Sequence, residues 1–165
     1  MTCWVTLASM TAWDPFRDGN TWDTGLRVTR KSVENAIARG HLLSPQEATA
    51  FYHHSITSGS SLEYFLSAKG VSYRQFHVRR IAYLVVHGWL NPVKIEVWDD
   101  MADPGWELDD GNHRHAAAIM RGDETILADI RGDLRKARML LDIRSVSEVV
   151  RGRTSQVSSS ATLPR

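Results

Sequence analysis

The sequence predicts an α/β (α+β) fold: a small mixed sheet with flanking helices and an N-terminal helical extension. Three observations lead there. Four segments of helical period, each opened by a Ser or Thr cap signal, follow one another from about residue 29 to Gly88. The period then switches to alternation, with Val93, Ile95 and Val97 against Lys94, Glu96 and Trp98. Beyond that point short strand and helix signals alternate to about Leu141.

Composition sets the bounds. The chain has 165 residues, 42% of them hydrophobic and 24% charged. That is enough to bury a core and excludes a fibre or a chain disordered throughout. No apolar run reaches the roughly 18 residues a bilayer crossing needs. The start Met1-Thr2-Cys3-Trp4 has no basic region followed by an apolar one, so a cytoplasmic protein without a membrane partner is expected. Cys3 is the only cysteine, which excludes an intrachain disulfide and a cysteine-rich zinc site. Net charge is +1, but it is unevenly spread. Glu96 to Asp110 holds seven acidic residues and no basic one, while Arg131 to Arg153 holds seven basic and three acidic. Two solvated faces explain such runs; an acidic rim for a cation beside a basic flank for phosphate is the functional alternative.

The elements follow in order. Trp4, Val5 and Leu7 suit a short strand, and the Asp/Asn/Gly-rich stretch to residue 28 suits turns. A helix from Arg30 to Arg39 is capped by Thr29 and ended by Gly40. A second opens at Ser44-Pro45-Gln46-Glu47, with Ala48, Phe51, Tyr52 and Ile56 as its stripe. A third opens at Ser60-Ser61-Leu62-Glu63, and a fourth at Ser72-Tyr73-Arg74-Gln75 with Val78, Ile81, Ala82 and Val85 in register. Glu47 and Glu63 are best explained as capping-box acids. Trp106 to Leu108 and Thr125 to Ile130 read as strands around a helix from His113 to Arg121. Asp133 caps a last helix bearing Leu134, Ala137, Arg138 and Leu141. Residues 151–165 lose the apolar pattern and read as a disordered tail. The division expected is an N-terminal extension over residues 1–70, a core over 71–150 and the tail.

Chemistry concentrates in Asp109-Asp110-Gly111-Asn112-His113-Arg114-His115, between a strand end and a helix start. Gly111 allows a sharp turn and close approach to the backbone. The helix start offers amides and the positive dipole end to an anion. Arg114 has a donor fork suited to phosphate. Asp110 is a magnesium ligand or hydroxyl orienter, and His113 and His115 donate hydrogen bonds or move protons. The bland alternative is that Asp110 or Asn112 is simply the helix cap.

Asp110-Gly111-Asn112-His113-Arg114 and its alanines, then Gly122-Asp123-Glu124-Thr125-Ile126, resemble the core of the ParB/sulfiredoxin superfamily. The upstream helix to Gly88 and the strand after Asn91-Pro92 agree, so the likeness spans about 60 residues, Arg74 to Asp133. It implies nucleotide handling at the box. Sulfiredoxins use a cysteine there; Asn112 stands in its place, so that activity is not expected. Partition ParB proteins bind CTP with a Gly-Glu-Arg-Arg box, of which only Gly111 and Arg114 correspond. The box is most similar to the Asp-Gly-His-His-Arg of the superfamily's free-serine kinases, matched by Asp110, Gly111, His113 and Arg114. The resemblance therefore implies Mg2+ and a nucleoside triphosphate, ATP or CTP, in phosphoryl transfer or hydrolysis. The roles are Asp110 and His113 as catalytic residues, Asp110 as metal ligand, and Gly111, Asn112, Arg114 and His115 on the phosphates. Other relatives are described as ParB-like nucleases, which keeps DNA cleavage open.

DNA binding is the second expectation. Leu62 to Ile81 reads as a helix-turn-helix whose second helix carries Arg74, Gln75, His77, Arg79 and Arg80; the alternative is a core helix whose apolar stripe keeps that face from DNA. Of six tryptophans, Trp13 and Trp22 lie in turn-rich sequence and are candidates for a partner or for base stacking.

Overall fold

The computed structural model describes residues 1–16, 27–98 and 105–144. It is mixed α+β. In chain order the elements are β1 (Thr2–Thr6), a 3-10 helix (Leu7–Trp13), α1 (Arg30–Ala38), α2 (Pro45–Thr57), α3 (Leu62–Ala68) and α4 (Tyr73–His87). Then come β2 (Val93–Val97), β3 (Trp106–Asp110), α5 (Asn112–Arg121), β4 (Thr125–Gly132), α6 (Leu134–Leu140) and β5 (Ile143–Arg144). The proposed tail, and with it Arg151 and Arg153, lies outside the described residues, as do Trp22, Asp99, Asp100 and Asp103. Among the described residues no helix is long and apolar enough to cross a membrane.

The chain forms two compact units, each built from separated stretches. The first holds the five-stranded sheet, ordered β3-β2-β4-β1-β5. The β2–β4 pair is parallel, and the others are antiparallel. Alternation accounts for the strands: Val93, Ile95 and Val97 on β2, and Ile126, Ala128 and Ile130 on β4, are all buried. β1 sits inside the sheet between β4 and β5, with Cys3 and Val5 buried and Val5 opposite Ile126. Leu7, expected in that strand, instead starts the 3-10 helix. β5 carried no strand signal, being two residues long. After β4, Gly132 turns the chain at φ +80°, where a Cβ would run into the carbonyl oxygen of Val97. Only glycine fits there. Asp133 then caps α6 through the amides of Arg135 and Lys136. Ala137 and Leu141 are buried as expected, whereas Leu134 is exposed.

The second unit is helical, with α4 packed between α1 and α5. Its larger core joins Val33 and Ala36 of α1 to Val78, Ile81 and Ala82 of α4 and Ala116 and Ala117 of α5. The alanines of α5 thus serve helix packing within this unit. A satellite core gathers Leu43, Ala48, Leu66 and Phe76, with Phe51 and Tyr73 against it. The helix starts follow their local chemistry. Ser44 and Glu47, and Ser72 and Gln75, form reciprocal capping boxes. Thr29 caps α1 in a box completed by Ser32. At α3 the cap is Ser61, bonded to the amide of Tyr64, and not Ser60, so Glu63 is not a capping-box acid. The stripe of α2 ends early: Ile56, expected on it, is 77% exposed.

Candidate functional site

β3 ends at Asp110, and α5 begins two residues later. Gly111 between them is the helix cap, at φ +108°. A residue with a Cβ is strained in that left-handed region, so glycine is what lets the strand turn straight into the helix. Neither Asp110 nor Asn112 is the cap, as the bland reading had it, and α5 starts with no side-chain cap hydrogen bond. The first amides of an α-helix lack intrahelical acceptors, and the dipole adds partial positive charge there. Asn112, His113 and Arg114 form this first turn, each partly buried. The Cys-free position at Asn112 leaves no nucleophilic thiol in the box.

Asp110 carries an ion pair to Lys94 across the β2–β3 ladder, Oδ2 to Nζ 3.7 Å, with both side chains about half exposed. Exposed pairs of this kind are worth little. Among the described residues no group of three or more His, Cys, Asp and Glu is placed to hold a metal ion.

The two histidines of the box diverge. His113 meets His77 of α4, with Nδ1 of His77 2.8 Å from Nε2 of His113 and the rings 5.0 Å apart and nearly parallel. One nitrogen must donate and the other accept, so the pair is built for neutral rings. Burial, then Arg80, His77 and Arg114, hold the His113 imidazole well below its ordinary pKa. Burial and then Arg80 bring His77 to about 4. Tyr73 closes the other side of His77, ring centroids 4.6 Å apart. A neutral His113 is a hydrogen-bonding group at neutral pH and does not donate as an imidazolium. His115 is 1% exposed, and burial puts its pKa at about 4. Among the described residues neither of its ring nitrogens has a hydrogen-bond partner. Its place is the interior of the helical unit, which does not suit the phosphate contact expected of it.

The DNA-directed candidates lie elsewhere in the same unit. Where the helix-turn-helix was expected, α3 and α4 follow one another across Lys69–Ser72, with His77 buried and Arg80 partly buried. Arg74, Gln75 and Arg79 line one groove together with Asn35, Arg39 and His41. His77, between them in sequence, faces inward. Two features escaped sequence reading: the His77 partner of His113, and the contribution of α1 to the groove. The available signal for His77 was its place between Phe76 and Val78, on the apolar side of α4. In the basic stretch that begins at Arg131, Arg131 of β4 and Arg144 of β5 pair locally with Asp129 and Asp142. Trp13 is half-buried.

Comparison with family models, with curated proteins and with solved structures finds no match for the chain.

Proposed function

We propose that the chain binds the phosphates of a nucleoside triphosphate at the start of α5, in the manner the ParB/sulfiredoxin resemblance implies, and uses it for phosphoryl transfer or hydrolysis. The observation that carries the reading is the α5 terminus: a ten-residue helix opened by Gly111 in the left-handed region, with no side-chain cap. Such an end suits an anion, because amides and dipole act on it together. Arg114 in the same turn brings a guanidinium for charge developing on the phosphates. Asp110 is the candidate magnesium ligand, and bound magnesium would neutralise phosphate charge. His113, neutral and hydrogen-bonded to His77, is the catalytic candidate in the same turn. Phosphoryl transfer rests mainly on positioning and electrostatics, so this short set is chemically sufficient.

The test is a thermal shift against ATP, CTP, GTP and ADP, with and without magnesium, for wild type and Arg114→Ala. A ligand at 100 times its dissociation constant adds about 2.7 kcal/mol of stability. A magnesium-dependent shift with one triphosphate, absent in Arg114→Ala, is expected. Turnover of that triphosphate is then expected to disappear in Asp110→Ala while the melting temperature of the apoprotein holds. No shift with any nucleotide overturns the reading.

A further inference from the structure

Helices α1 and α4 border a groove of about 420 Å³ in the helical unit. Asn35 of α1 and its C-cap residue Arg39, four residues on, contribute to it, and His41 comes from just beyond. Arg74, Gln75 and Arg79 come from the first turns of α4. Ala36 and Val78, both buried, lie between these rows. Among the described residues no acidic side chain lines the groove. Among the described residues none of the three guanidiniums is ion-paired to a carboxylate, and Glu34, the nearest acid along α1, pairs with Lys31.

The polar groups differ in what they have left to give. Ser32 and Ser72, also on the lining, are committed to the capping boxes of α1 and α4. The Gln75 side-chain oxygen accepts from the Ser72 amide, so its NH2 end is what remains to donate. Arg74 donates from Nε to the Arg27 carbonyl at 3.1 Å, which restrains its guanidinium while the terminal nitrogens keep their donors. Three arginines around one concave surface repel each other unless an anion joins them. Guanidinium forks match phosphate oxygens in geometry, and the volume lies in the range of small-ligand sites.

We propose that the α1–α4 groove is a phosphate-recognition site, separate from the α5 terminus, whose ligand is a phosphodiester backbone or a free nucleotide. The chemistry is the same for both, and the experiment separates them. A short labelled DNA duplex and a single strand are titrated by fluorescence anisotropy at several salt concentrations. ATP and inorganic pyrophosphate are titrated by calorimetry. Wild type is compared with Arg39→Glu/Arg79→Glu, with Arg39→Gln and with Arg114→Ala. Arg39 is exposed, so Arg39→Gln keeps the fold even where the double reversal does not.

Each charge-assisted contact removed is expected to weaken binding about tenfold, and the double variant about a hundredfold or more. If the backbone is the ligand, duplex or single-strand affinity falls in the groove variants, and the salt slope shrinks by about one per arginine lost. If a free nucleotide is the ligand, ATP and pyrophosphate affinity falls instead. Binding that Arg114→Ala abolishes and the groove variants leave unchanged belongs to the α5 terminus and overturns the groove site. So does the absence of binding by every probe.

Discussion

At the residue scale, the decisive side chains are imidazoles. His77 and His113 are hydrogen-bonded inside the helical unit, and His115, on α5, is buried. All three have pKa values lowered chiefly by burial, to about 4 for His77 and His115. Below the ordinary value near 6.5 the unfolded chain binds protons that the folded chain refuses, until the pH nears the folded values. Unfolding then takes up protons, so stability falls with pH across that window. The denaturation midpoint should hold steady just above pH 6.5 and drop between about pH 6.5 and 4. His77→Phe should make the drop shallower. A midpoint level from pH 7 to pH 4 would show that these rings are not held neutral. The same neutrality limits what His113 does in any reaction: at neutral pH it is a hydrogen-bonding ring and not an imidazolium acid.

At the scale of the element, the helices are set by their first four residues. Ser44 accepts from the Glu47 amide, while the Glu47 carboxylate accepts from the amide and hydroxyl of Ser44. Those bonds hold the Glu47 carboxyl below its usual range, the hydroxyl contributing most. Ser44→Ala should cost about 1 kcal/mol in chemical denaturation, and Ser60→Ala, one residue ahead of the true α3 cap, close to nothing. An equal loss from both would mean that the caps do not set these ends. α5 differs in kind, since Gly111 brings geometry but no cap atom.

At the scale of the whole molecule, chain order and spatial order part company. The first unit takes residues 1–12, 91–110 and 124 onward, and the second takes 13–90 and 111–123. β1, the first element of the chain, is an interior strand that completes hydrogen bonding for both β4 and β5. Removing residues 1–12 should therefore abolish the sheet's cooperative unfolding and expose the β4 amides to fast hydrogen exchange. A truncated chain that keeps protected β4 amides would show β1 to be dispensable.

Local rules made much of this legible in advance. Cap signals at Thr29, Ser44, Ser72 and Asp133, the alternation of Val93, Ile95 and Val97, and the Gly111 turn all depend on residues within about four positions of one another. Short-range hydrogen bonds and side-chain period act in any tertiary setting, so the sequence by itself determined where α1, α2, α4, α6 and β2 begin and which box joins β3 to α5. Other features needed the folded chain. His77 meets His113 across 36 residues, Val5 pairs with Ile126, and Arg39 shares a groove with Arg74 and Arg79. Ile56 belongs with them, an apolar residue in helical register that found nothing to pack against. No local pattern encodes such partners, because they are chosen by how apolar faces bury one another after the elements have formed. The tertiary structure alone decided which histidine stays at the helix start, which is sealed inside, and which arginines converge.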